Sequence, residues 1–282
     1  MSLRPDGTPG PDLIVIGAMK AGTTTLARHL AAHPMIGLSR DKETDYFIAE
    51  KNWRRGSRWY AGQFAPGLAL HAEASPNYAK RDDFPGVPER IAAHDPAMRL
   101  VFLARDPVER AISQYRHSWT MGDIAMSPAD LPGTHEWTHI LNASRYAHQI
   151  DAYLDHFPRG QLLVLDFTEL VRAPERAMAR VADHLGIPPG PLADAASHNE
   201  NAEVARIPAP LLRLAQSPLG RATSRIVSRG ARDRARALLA RGERRDPGPM
   251  PDDARERMRE ALAEDAARFR TLSGLPFDDW SV

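Results

Sequence analysis

Gly17 and Gly22 have the Gly-x4-Gly spacing of a nucleotide-phosphate loop, with Lys20 between them and Thr23, Thr24 and Thr25 directly after. Such a loop in front of a helix binds anions, because unpaired backbone N–H groups and the positive end of the helix dipole face the same point. A triphosphate loop carries its lysine after the second glycine, with a hydroxyl beside it to hold magnesium. Here the position after Gly22 is Thr23, and the lysine comes before the glycine. A lysine inside the loop and three hydroxyls at the helix start suit one compact anionic group plus its leaving oxygen. That chemistry points to a nucleotide with a short anionic tail and no metal.

The run Lys20-Ala21-Gly22-Thr23-Thr24-Thr25 resembles the 5′-phosphosulfate loop of sulfotransferases that use 3′-phosphoadenylyl sulfate (PAPS). A second stretch, Arg99 to Tyr115, resembles the strand-loop-helix in which that family grips the nucleotide 3′-phosphate with an Arg and a Ser eight residues apart, here Arg105 and Ser113. An arginine at a strand end offers phosphate a planar fork. The likeness continues through Lys42 to Phe47, Glu73 to Tyr78, Tyr146 to Phe157 and Phe277 to Trp280, and is nearest to the heparan-sulfate-type and related bacterial branch. It implies PAPS as donor, adenosine 3′,5′-bisphosphate (PAP) as product, no metal and no covalent enzyme intermediate. It further implies that Glu43 is the general base on the acceptor, that residues 20–25 hold the 5′-phosphate, and that Arg105 and Ser113 hold the 3′-phosphate.

Lys20 would stabilise charge on the bridging oxygen as the sulfur–oxygen bond breaks. Glu43 has a plainer reading as a solvated glutamate in a charged loop, and Arg105 as a partner of Asp106 or Glu109. The heparan-sulfate enzymes have a lysine where this chain has Ala74. Trp119, His135, Trp137 and Tyr146 either line an acceptor cleft or pack as ordinary large aromatics. A basic loop in the resembling enzymes also touches the 3′-phosphate, with Arg241, Arg244 and Arg245 as the candidates here. The acceptor stays open among carbohydrate, lipid and small natural-product hydroxyls, as does transfer to an amine, since sites and not folds decide substrates.

These residues need elements to position them. Apolar runs at Leu13 to Ile16, Met35 to Leu38, Gly67 to Ala72, Arg99 to Ala104 and Gln161 to Leu165 read as strands. Between and after them, Leu26 to His33, Val87 to His94, Pro107 to Trp119, Arg145 to Phe157, Pro174 to Leu185 and Asp252 to Arg270 read as helices. This alternation predicts an α/β fold, a P-loop-like three-layer architecture with a central, mostly parallel sheet flanked by helices and ligands at the strands' carboxyl ends. Thr120 to Ile140 reads as a long connection, and residues 206–250 as an Arg/Pro-rich insertion or lid within one domain spanning 1–282. His29 with His33, and His135 with His139, have helical spacing, but neither pair has a third ligand placed to complete a metal site.

With 282 residues, 37 basic against 36 acidic side chains and no cysteine, the chain can bury a core without disulfides and has no thiol nucleophile. The apolar runs are strand-sized and too short to span a membrane. The first eleven residues lack the apolar stretch of a signal peptide, so the expectation is a soluble, cytoplasmic protein. The charge balance hides one stretch, Arg206 to Asp246, with eleven arginines against three acids. Two other readings compete: a P-loop kinase-like enzyme, and a non-catalytic nucleotide- or polyanion-binding module. No nucleic-acid partner is expected, and the oligomeric state is not legible.

Overall fold

The computed structural model describes residues 10–194 and 246–282. Their strands form a parallel sheet in the order β2-β3-β1-β4-β5: β1 (Leu13–Gly17), β2 (Ile36–Leu38), β3 (Leu70–Ala74), β4 (Arg99–Ala104) and β5 (Leu162–Asp166). Every residue of β1 is buried, as a central parallel strand covered on both faces requires. The flanking helices are α1 (Thr23–Ala32), α2 (Gly56–Ala61), α3 (Val87–His94), α4 (Pro107–Met121), α5 (His135–Asn142), α6 (Tyr146–Leu154), α7 (Phe167–Arg172), α8 (Pro174–Leu185) and α9 (Asp252–Ser273). Among the described residues, no helix is long and apolar enough to cross a membrane.

Packing separates two compact units. Met1–Arg110, Leu141–Asp194 and Met258–Val282 form the first, which contains the whole sheet; Ala111–Ile140 and Ala195–Arg257 form the second. The Arg-rich stretch read from the sequence, including Arg241, Arg244 and Arg245, lies outside the described residues.

Among the boundaries that differ from the sequence reading, three have a local reason. α1 begins at Thr23 and not at Leu26, so all three threonines sit in its first turn directly after Gly22. β3 begins at Leu70, because Gly67 adopts a left-handed backbone (φ 102°) that a strand does not accommodate, and it runs on through Glu73 to Ala74. The connection after α4 is shorter than Thr120 to Ile140: α4 continues to Met121, and α5 starts at His135 because Thr134 caps it, its Oγ1 accepting from the Trp137 amide at 3.2 Å. Three short helices were missed: α2, α5 and α7. α7 follows β5 at once, with the Asp166 carboxylate accepting from the Thr168 amide at 2.9 Å.

In the first unit, the chain's end completes the core. Phe269, Phe277 and Trp280 stack on one another, with Phe277 and Trp280 ring centres 4.1 Å apart, and Phe269 reaches Phe102 of β4 and Tyr146 of α6. Tyr146 is fully buried there and donates to the Arg105 carbonyl at 2.8 Å, which decides its role as packing and not as cleft lining.

Candidate active site

The carboxyl ends of β1 and β4 lie side by side, Gly17 opposite Phe102, and the loop that leaves β1 is tied back by the Ala18 amide to the Leu103 carbonyl at 2.9 Å. Gly22 then turns the chain into α1 with φ 96°. The helical ladder starts with the Thr25 and Leu26 amides, both donating to the Gly22 carbonyl, so the amides before them have no acceptor within the helix. Lys20 itself is held in the left-handed region at φ 69°, at a cost of about 1–2 kcal/mol for a residue with a side chain.

Gly22 is required here for two reasons. A left-handed backbone disfavours any side chain, and a Cβ at this position would lie 2.8 Å from the Phe167 ring at the start of α7. Phe167 packs beneath the loop on one side and carries the Arg105 guanidinium over its ring at 5.1 Å on the other. Gly22→Ala is therefore expected to destabilise the fold by at least about 1–3 kcal/mol from backbone strain, before any ring displacement. A lowered melting temperature checks this, and an unchanged one would refute the account of the loop.

Two arginines close over the loop's carbonyls. Arg105 Nη1 donates to the Lys20 carbonyl and Arg110 Nη1 to the Met19 carbonyl, both at 3.4 Å and so both weak. Arg105 also stands 3.8 Å from Glu109, whereas the Asp106 carboxylate caps α4 through the Glu109 amide at 2.9 Å. Arg110 is wholly buried; its Nε donates to Ser144 Oγ at 2.6 Å, and burial brings its guanidinium down to about 10. Thr23 is buried while Thr24 and Thr25 are exposed. Ser113 lies partly buried on α4, in the second unit.

Glu43 is in the loop after β2. The residue is exposed, yet partial burial of its carboxyl is the main cause of a pKa raised above the ordinary glutamate value. Lys42, Lys51 and Lys80 work against that shift and Asp45 adds to it. Lys20 is displaced the opposite way: burial first, then the positive charges of Lys42, Arg105 and Arg110, lower it, and Glu43 resists. The two shifts run in opposite directions from one leading cause, burial. The chain has only four lysines, at 20, 42, 51 and 80, and every one is close enough to Glu43 for the charges to interact.

The structure thus places Lys20, Arg105 and Glu43 in one electrostatic cluster and adds residues that sequence reasoning did not assign: Arg110, Phe167, Lys51 and Lys80. The histidine pairs resolve differently. His33 is a satisfied structural residue, with Nε2 against the Pro188 carbonyl at 3.0 Å and Nδ1 accepting from the Met35 amide, and His29 Nδ1 accepts from Ala193. Among the described residues no group of three or more potential ligands is placed to hold a metal ion.

A phosphate loop at the end of the central strand of a five-stranded parallel sheet is the architecture of P-loop-like nucleotide enzymes. A crystal structure of a sulfotransferase from Alicyclobacillus acidocaldarius shares this fold, with a TM-score of 0.71 at 21% identity over 97% of this chain and 100% of that one. The sulfotransferase domain family matches residues 10–203, and the chain belongs to that family. Two relatives are the bifunctional heparan sulfate N-deacetylase/N-sulfotransferase 1 of Caenorhabditis briggsae, 29% identical over 201 residues, and the heparan sulfate glucosamine 3-O-sulfotransferase 3B1 of Mus musculus, 29% identical over 186. These alignments cover 64% and 63% of this chain but only 23% and 46% of the relatives, so the chain spans less than half the length of either.

Proposed function

We propose that this protein transfers a sulfuryl group in line from PAPS to an acceptor hydroxyl. The carrying observation is the lysine inside the anion loop, between the carboxyl end of β1 and the entry to α1 at Gly22. In this reading Glu43 accepts the proton of the acceptor hydroxyl as its oxygen bonds to sulfur. The bond from sulfur to the 5′-phosphate oxygen breaks, and Lys20 meets the charge that develops on that oxygen. The first-turn amides and the hydroxyls of residues 23–25 hold the 5′-phosphate, while Arg105 and Ser113 take the 3′-phosphate. Fixed cations supply the charge stabilisation, so the reading includes no metal, and PAP is the product. The names of the relatives favour a carbohydrate acceptor.

Incubating the protein with isotopically labelled donor and a panel of carbohydrate, lipid and small hydroxyl acceptors tests the reaction; absence of transfer across the panel, together with no PAP binding, would sink it. Calorimetry tests the nucleotide site separately. Loss of a charge-assisted contact is worth about 1.5–3 kcal/mol, so Arg105→Ala should weaken PAP about 10- to 100-fold. Unaltered affinity would remove Arg105 from the site.

A further inference from the structure

Glu73 is a fully buried carboxylate of the Glu43 region that the proposed reaction does not use. Its side chain, at 0% exposure near the end of β3, accepts four hydroxyl hydrogen bonds. Oε1 receives Thr44 Oγ1, Ser75 Oγ at 2.6 Å and the Tyr78 hydroxyl at 2.7 Å, and Oε2 receives the Tyr60 hydroxyl. Three of these hydroxyls also accept a backbone amide from the loop that carries Glu43: Ser75 Oγ from Asp45 at 3.1 Å, Thr44 Oγ1 from Tyr46 at 3.2 Å, and the Tyr78 hydroxyl from Phe47 at 3.2 Å. Three consecutive amides, 45 to 47, are therefore fastened through three hydroxyls to a single carboxyl group. Asn52 Nδ2 adds a tie to the Thr44 carbonyl at 2.7 Å, next to Glu43 itself.

The direction of these bonds has a consequence. Each hydroxyl has one proton, and spending it on Glu73 leaves its oxygen free to take an amide. The relay needs Glu73 as an acceptor, and its four donors supply the bonds that a buried charge requires. Burial pushes its pKa up, and the hydroxyls of Ser75, Thr44, Tyr60 and Tyr78 pull it back. Such networks hold one geometry because no member can move without leaving a buried polar group unpaired.

We propose that Glu73 is a positioning residue for Glu43, setting the main chain of residues 44–47 through the hydroxyls of Thr44, Ser75 and Tyr78 so that the neighbouring carboxylate meets the acceptor. This rests on the reading of Glu43 as the base. A misplacement of about 1 Å at a reacting group can cost about 100-fold in rate. Glu73→Gln can keep its amide oxygen toward the three relays and turn its amide nitrogen to Tyr60, so it loosens the network without emptying the site.

The test is a double-mutant cycle on transfer from labelled donor, with PAP affinity and the melting temperature measured alongside. Glu73→Gln in the native background should lower kcat by about 10-fold or more, within the 100-fold range above, with PAP affinity unchanged. In a Glu43→Gln background the same substitution should cost almost nothing, because the group being positioned is gone. Equal losses in the two backgrounds would show a merely structural role and overturn the proposal, as would an undiminished kcat in the single variant. Should Glu73→Gln fail to fold, Ser75→Ala removes one relay, leaves three donors on the carboxylate, and is read by the same cycle. Undiminished turnover in Glu43→Gln alone would strike the base assignment itself, an outcome separate from additivity in the cycle.

Discussion

Lys20→Ala is expected to lower turnover by about 100- to 1000-fold, the usual loss when one preorganised group facing developing transition-state charge is removed. The loop's other donors, the first-turn amides and the hydroxyls of residues 23–25, are left in place by the substitution, and Gly22 still sets the entry to α1. PAP affinity should therefore fall much less than the single-turnover rate. The lowered pKa of Lys20, caused first by burial and then by neighbouring cations, means that its charge is lost at a lower pH than in an exposed lysine. Rates should accordingly decline on the alkaline side, as pH rises through that lowered value. Lys20→Arg should not restore the rate, because a planar guanidinium cannot take the place of a compact ammonium in a closed loop. Turnover within 10-fold of wild type in the alanine variant would exceed what this role permits.

Glu43→Gln should cost about 100- to 10,000-fold in kcat, the range for a positioned general base. The pH profile gives the sharper measurement. A base must be ionised to act, so the rate falls as pH drops through the pKa of Glu43, and burial has moved that value upward. The acid limb of the wild-type profile should thus lie above the ordinary glutamate range and vanish in Glu43→Gln. A limb at the ordinary position, or one that persists in the variant, would assign the titration to another group.

The strand-loop-helix core was legible because β1, and β4 after Arg99, are apolar runs that end at the Gly17–Gly22 loop and at Arg105. The start of α1 was not, since threonine is a poor interior helix former and its role in a first turn depends on what the amides face. Short helices were lost for a related reason: α5 and α7 rest on single caps, Thr134 and Asp166, that look like ordinary loop residues until their amide partners are placed. Lys20, Arg105 and Glu43 could be nominated from motifs and resemblance. The Glu73 network could not, because its donors at 44, 60, 75 and 78 come from a loop, a helix and a turn and converge only through the sheet. Arg110 was hidden in the same way, its partner Ser144 lying 34 residues along the chain.

The distribution of lysine has a chemical consequence of its own. All side-chain primary amines of this protein surround Glu43, and every other strongly basic side chain is a guanidinium. Burial lowers the pKa of two of these amines, Lys20 and Lys80, which raises the share of each present as free base at a given pH. Acylating reagents that spare guanidinium groups therefore have a single region of the side-chain surface to act on. The chain carries, in its choice between two basic residues, a built-in chemical address for the site where sulfuryl transfer is proposed.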